Sequence, residues 1–300
     1  MSEKSEMLWI VSPLKGVSLR GKSEVALGDG LALMRTDERL LASRSGLYLG
    51  SVQFHDIGRA PWFLVLRVPQ SPHTPVVPDS VELLLDALMA FQIVKPIETY
   101  GLAFHGDESS AGDMNWHGID DRRWPMNAGQ WSQLRMFDEP LLNEVLAILN
   151  QVRSMMRGPD ISKRNAVHLL QLALEHPHQY VACLLAVTGI EAILDCKDRW
   201  DFEKKLCDLL GASALAFPDW NSPDFPPLTY TVKEVAVHLY TLRSKVAHGA
   251  DLAKAAHDKN TPVDLLQLKE YILEGAPVRY ATLLCESSIY ILGQVLQKVL

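Results

Sequence analysis

The sequence predicts an α+β chain in two parts, a β-rich N-terminal domain over residues 1–135 and an all-helical domain over residues 136–300. Three observations carry that division. Short apolar or alternating runs, punctuated by Gly, Asp and Pro, fill residues 9–104, as in strands. From residue 138 onward apolar residues recur every three or four positions, as in helices. Between them, residues 105–130 are polar, rich in Gly and Trp, and read as a long loop.

The strands are expected at 9–11, 25–27, 30–34, 47–54, 62–68 and 99–104. Asp29-Gly30, between the second and third of them, suits positive φ and predicts a hairpin turn. Over 79–94 the apolar residues Leu83, Leu84, Ala87, Leu88 and Phe91 fall at helical spacing, and Asp79-Ser80 supplies a cap. In the second part, helices are expected at about 138–156, 162–176, 178–197, 201–211, 231–248 and 263–299. Gly158-Pro159 and His176-Pro177 break the chain between them, and four prolines interrupt 214–230.

Composition narrows the function classes. The chain has 300 residues, 48% of them hydrophobic and 22% charged, the balance of a globular protein. No run of eighteen apolar residues suggests a membrane span. Met1 to Ile10 is too acidic for a secretory signal, so a cytoplasmic protein is expected. Cys183, Cys196, Cys207 and Cys285 form no Cys-x-x-Cys pair and read as free thiols. The net charge is −7 and neither half has a basic excess, which argues against a broad positive face for coating nucleic acid. A local cationic cleft stays open.

Such a cleft is suggested by Leu239-Tyr240-Thr241-Leu242-Arg243-Ser244-Lys245-Val246-Ala247-His248-Gly249. Gly249 reads as the stop signal of an apolar-periodic helix. His248 then falls in the last turn, beside unpaired carbonyls and the negative end of the helix dipole. Arg243 adds a guanidinium fork of phosphate size. Five residues subtend about 140° on a helix, so the two side chains reach one ligand only at a helix end that opens.

Arg243 and His248, four residues between them, resemble the paired motif of HEPN domains. Tyr240 three before the arginine and Gly249 after the histidine resemble the Apea-like branch. So does the upstream helix Leu184-Leu185-Ala186-Val187-Thr188-Gly189-Ile190-Glu191-Ala192-Ile193-Leu194, with one carboxylate inside an apolar run. The resemblance covers the C-terminal half alone. It implies an all-α HEPN-like domain over 136–300 and a metal-independent endoribonuclease, of a kind used as a toxin or in antiviral defence. It also implies a homodimer whose composite cleft holds two copies of Arg243 and His248. RNA, tRNA included, would be the substrate, with no cofactor, no metal and no membrane partner. The N-terminal domain would sense a trigger or restrain the nuclease. The alternative is a non-catalytic HEPN module that binds nucleotide, RNA or protein. Ser244 departs from the family, whose active members most often carry Asn, Asp or His there; its hydroxyl still hydrogen-bonds.

Glu191 is costly to bury alone and is expected to pair with an arginine such as Arg243. Ser244, Glu191 and Tyr240 are therefore supporting residues around the pair. Arg164 and His168, four apart, merely share a helix face. His105, Asp107, Glu108, Asp113, His117, Asp120 and Asp121 match no metal spacing and read as a solvated loop. There is no P-loop, no Gly-x-Gly-x-x-Gly and no Gly-x-Ser-x-Gly elbow.

Overall fold

A computed structural model describes residues 7–15, 17–35, 62–69, 78–95, 97–99, 103–108, 114–120, 138–176, 178–217, 229–249, 260–262, 265, 268–273 and 276–300. The chain is mixed α+β, with an antiparallel N-terminal sheet and helices mostly in the C-terminal half. It divides into two compact units. One gathers residues 1–88, 97–126 and 136–146, and the other residues 89–96, 127–135 and 147–300.

In the first unit the strands are β1 (Met7–Lys15), β2 (Glu24–Gly28), β3 (Leu31–Arg35), β4 (Trp62–Pro69), β5 (Glu98–Thr99), β6 (Ala103–Glu108) and β7 (Met114–Asp120). They form one sheet in the order β2-β3-β4-β1-β6-β7, with β5 also on β1. Strand β1 is central, and Leu8, Trp9, Ile10, Val11 and Leu14 are all buried. That explains a continuous apolar run where an edge strand would alternate. Pro13 falls between the two partners on one side of β1, since β6 pairs as far as Val11 and β5 begins at Leu14. A missing N–H is tolerated at such a gap. Asp29 (φ 50°) and Gly30 (φ 79°) make the two-residue turn between β2 and β3, as their identities predict. Arg67 of β4 braces three strands: it lies 4.5 Å over the Trp9 ring, 2.9 Å from Glu24, and donates to Met34 Sδ at 2.8 Å.

The reading of 105–130 as loop is corrected over 105–108 and 114–120, the described part of that span. Strand β6 extends to Glu108, and β7 pairs with it antiparallel from Ala103↔Asp120 to Glu108↔Met114. The polar composition hid these strands because strand formation depends on the neighbouring ladder more than on intrinsic preference, and β1 supplies that ladder. The strand expected at 47–54 lies outside the described residues. Helix α1 runs Pro78–Val94, with proline at the helix start, where its missing N–H is harmless.

The helices that follow are α2 (Glu139–Arg157), α3 (Ile161–Glu175), α4 (Gln179–Leu194), α5 (Arg199–Leu210), α6 (Val232–Ala247) and α7 (Leu283–Val299). The C-terminal half is not helical throughout, which corrects the expected all-α domain and its long helix over 263–299. Strands β8 (Leu268–Leu273) and β9 (Ala276–Thr282) form an antiparallel hairpin before α7. Gly275 and Pro277 break a helix there, and Tyr271, Ile272, Val278, Tyr280 and Thr282 favour strand. A short apolar run looks alike at either period, so periodicity alone misassigned it. No single helix among the described residues is long and apolar enough to cross a membrane.

Around α4 the second unit is tightly packed. A Cβ built on Gly189 would lie 2.8 Å from Leu292 Cδ2 of α7 and 3.4 Å from Leu169 Cβ of α3. The glycine therefore permits close approach of three helices, at a helix-propensity cost of about 1 kcal/mol against alanine. None of the four cysteines is in a disulfide; Cys183 and Cys285 are buried and Cys196 and Cys207 partly exposed.

Candidate functional site

Helix α6 carries the motif, and its ends are well specified. Thr231 accepts a hydrogen bond from Glu234 N at 3.3 Å, and Glu234 accepts one from Thr231 N at 2.8 Å. This reciprocal capping box stabilises the start by about 1 kcal/mol. Val232, Val235, Ala236, Leu239 and Leu242 form the buried stripe. Arg243 follows that stripe and sits at its margin, where half of a long side chain can be covered. At the other end His248 is the capping residue, and Gly249 takes φ 71° beyond it. Among the described residues no atom lies within 4 Å of a Cβ built on Gly249, so conformation rather than space calls for glycine.

Arg243 pairs with Glu191 of α4, Nη2 to Oε2 at 2.7 Å, with the side chains 28% and 15% exposed. Burial pushes the Glu191 carboxyl above the ordinary glutamate range, and the nearby Arg243 charge pulls it only part of the way back. The contact is close in distance but poorly aligned as a hydrogen bond: neither Glu191 Oε2 nor the buried Arg243 Nε has a well-directed partner among the described residues. The Arg243 guanidinium carbon lies 5.9 Å from the centre of the Tyr240 ring, and that ring meets Phe202 of α5 at 5.4 Å. Arg243 is thus set between a carboxylate and an aromatic face, which limits its rotamers.

His248 is exposed, and its backbone N–H donates to the Ser244 carbonyl at 3.1 Å. Among the described residues its imidazole has no hydrogen-bond partner, so the ring is open to a ligand. The structure therefore brings Arg243, Glu191 and Tyr240 together and does not join His248 to them. The roughly 140° that separates positions 243 and 248 on a helix accounts for this. Ser244 is half-buried one residue past Arg243.

Three helix ends meet here. Glu191 belongs to the last turn of α4. Helix α5 runs antiparallel to α6: Lys233 N donates to Ala212 O at 3.3 Å at one end, and Phe202 meets Tyr240 nearer the other. The first turn of α5 therefore lies at the motif end of α6. Lys205 Nζ reaches back to the Asp195 carbonyl at 2.7 Å and ties α5 to the end of α4. Cys196 sits in this corner, but burial pushes its thiol up to about 11, which excludes it as a thiolate nucleophile at neutral pH.

The sequence reading overlooked Trp200, which is 70% exposed on the first turn of α5. Its signal was available: the buried stripe of α5 is Phe202 and Leu206, and position 200 lies off it. Arg164 donates to the Gly158 carbonyl at 3.1 Å and holds a helix junction together. Of the polar cluster, His105, Asp107 and Glu108 lie on β6 and His117 and Asp120 on β7, where a loop was expected; Asp113 and Asp121 lie outside the described residues. Among the described residues no group of three His, Cys, Asp or Glu could hold a metal ion. Comparison with family models, with curated proteins and with solved structures found no match.

Proposed function

We propose that this chain is a metal-independent endoribonuclease of the HEPN type, working as a twofold dimer through its C-terminal half in toxin or antiviral defence. The observation that carries the reading is the exposed His248, whose ring has no hydrogen-bond partner among the described residues, at the end of the helix that also holds a braced Arg243. An imidazole can take the 2′-OH proton as the oxygen attacks the adjacent phosphorus. The bond to the 5′-oxygen breaks, and that oxygen takes a proton from the second imidazole of the composite cleft. Arg243 neutralises charge on the phosphoryl oxygens. Glu191 and Tyr240 position the guanidinium, and Ser244 supplies a polar neighbour.

The test is incubation of the purified chain with total RNA and with tRNA, with and without EDTA. The expected products carry a 2′,3′-cyclic phosphate and a 5′-OH, DNA survives, and EDTA changes nothing. Products with a 5′-phosphate, or cleavage lost to the chelator, would point to metal chemistry at another site.

The second reading is a non-catalytic HEPN module for nucleotide, RNA or protein. The close Glu191 counter-ion favours it, since part of the Arg243 charge is already spent. Assembly is tested separately. Light scattering at micromolar concentration should give twice the chain mass; a stable monomer is incompatible with a composite cleft.

A further inference from the structure

Trp200 is out of place for a folded chain. Trp9 and Trp62 are buried, at 8% and 3% exposure, whereas Trp200 presents most of its ring to solvent. It is also held. The Arg199 guanidinium lies 4.6 Å over the indole, and Arg199 Nε is fixed in turn by Glu203 at 3.2 Å. The ring is braced on one side and open elsewhere. Lys197 and Lys204 are both exposed, Lys197 in the bend that leads into α5 and Lys204 one helical turn past Trp200 on the same helix face. No ion pair engages the Lys204 ammonium among the described residues. Of the acids of this turn, Glu203 pairs with Arg199 and Asp201 with Lys205 at 2.9 Å, while the Asp198 carboxylate caps the helix by accepting from Asp201 N at 3.0 Å. A flat aromatic with a cation to either side matches a nucleobase with its flanking phosphates.

The position matters as much as the chemistry. Phe202, two residues on, meets Tyr240, and Arg243 lies over Tyr240. The first turn of α5 and the motif end of α6 therefore share one end of the unit. We propose that Trp200, braced by Arg199 and flanked by Lys197 and Lys204, is a stacking platform for an unpaired base of an RNA strand handled by Arg243 and His248. The proposal rests on the ribonuclease reading and adds that the substrate is single-stranded at this point. Inside a duplex both faces of a base are already covered by its stacked neighbours, which leaves none for an indole.

The test separates the two ideas by measuring binding apart from cleavage. An unstructured, fluorescently labelled RNA 12-mer is titrated into His248→Ala protein, which does not cut it during the titration. Adding Trp200→Ala should weaken binding about tenfold or more, the scale of one stacked base. Trp200→Phe should stay within about threefold, and a duplex of the same sequence should bind equally to all three. Lys197→Ala/Lys204→Ala should reduce the salt dependence of binding. Unchanged affinity in Trp200→Ala, or no binding of the 12-mer by the intact chain, overturns the platform. So does loss of a dimer in Trp200→Ala, which would assign the indole to a contact between copies. Trp200-dependent binding without any cleavage by the wild type would leave the platform standing and remove the ribonuclease reading.

Discussion

His248→Ala should lower RNA cleavage at least about a hundredfold and leave thermal stability unchanged. The histidine is exposed, its ring makes no hydrogen bond or ion pair among the described residues, and its backbone hydrogen bond to Ser244 survives the substitution. Arg243→Ala should lower cleavage by a similar factor, as a lost charge-stabilising donor does, but it should also destabilise the fold. Glu191 is left half-buried without its cation, at a cost of roughly 1–2 kcal/mol. That cost depends on pH in a definite direction. Burial holds the folded-state carboxyl above its unfolded value, so the folded form binds the proton more tightly and acid favours it. The destabilisation should be largest near neutral pH and shrink as pH falls through the raised Glu191 range. Arg243→Lys should keep the charge and much of the stability but fail in catalysis, because an ammonium cannot offer two parallel donors. Cleavage assays beside thermal melts at neutral and acidic pH read all of this. Full activity in His248→Ala would remove the histidine from the mechanism.

Gly189→Val should be the most damaging substitution in the core. The first added carbon would lie 2.8 Å from Leu292 Cδ2, and Leu292 is fully buried, so it has little room to swing away. The branches of valine would add to that crowding and to the contact with Leu169 Cβ. Overpacking of this kind costs about 3 kcal/mol, or roughly 6–12 °C in the melting temperature of a unit this size. Gly189→Ala brings the same 2.8 Å contact and should also destabilise, but by less than valine, because it adds no branches and its better helix propensity returns about 1 kcal/mol. Adding Leu292→Ala to Gly189→Val should recover part of the loss, since the two sites share one contact. Glu191 is two residues on, so the displaced helix should also lose its hold on Arg243, and cleavage should fall with stability. A melting temperature for Gly189→Val equal to that of the wild type would contradict the close packing of α4.

Some of this was legible in the chain and some was not, and the divide follows the range of the interactions. Local chemistry placed Arg243 and His248 at a helix end: the apolar stripe ending at Leu242 and the glycine at 249 act within a few residues. The Asp29-Gly30 turn was equally local, because positive φ at both positions is a property of those residues alone. Glu191 announced that it needed a partner, since a bare carboxylate in an apolar helix is costly. That the partner is Arg243 was settled only by how α4 lies against α6. The hairpin β6–β7 escaped because its polar strands depend on the ladder that β1 provides. The β8–β9 hairpin escaped because a brief apolar stretch fits either period. Trp200 was readable as off the core stripe of α5, but its exposure depends on what surrounds it. By itself the sequence determined where helices stop, where turns fold back and which side chains demand company. Only tertiary structure decided which partners they found, because those partners lie far apart along the chain and are joined by packing that no local pattern encodes.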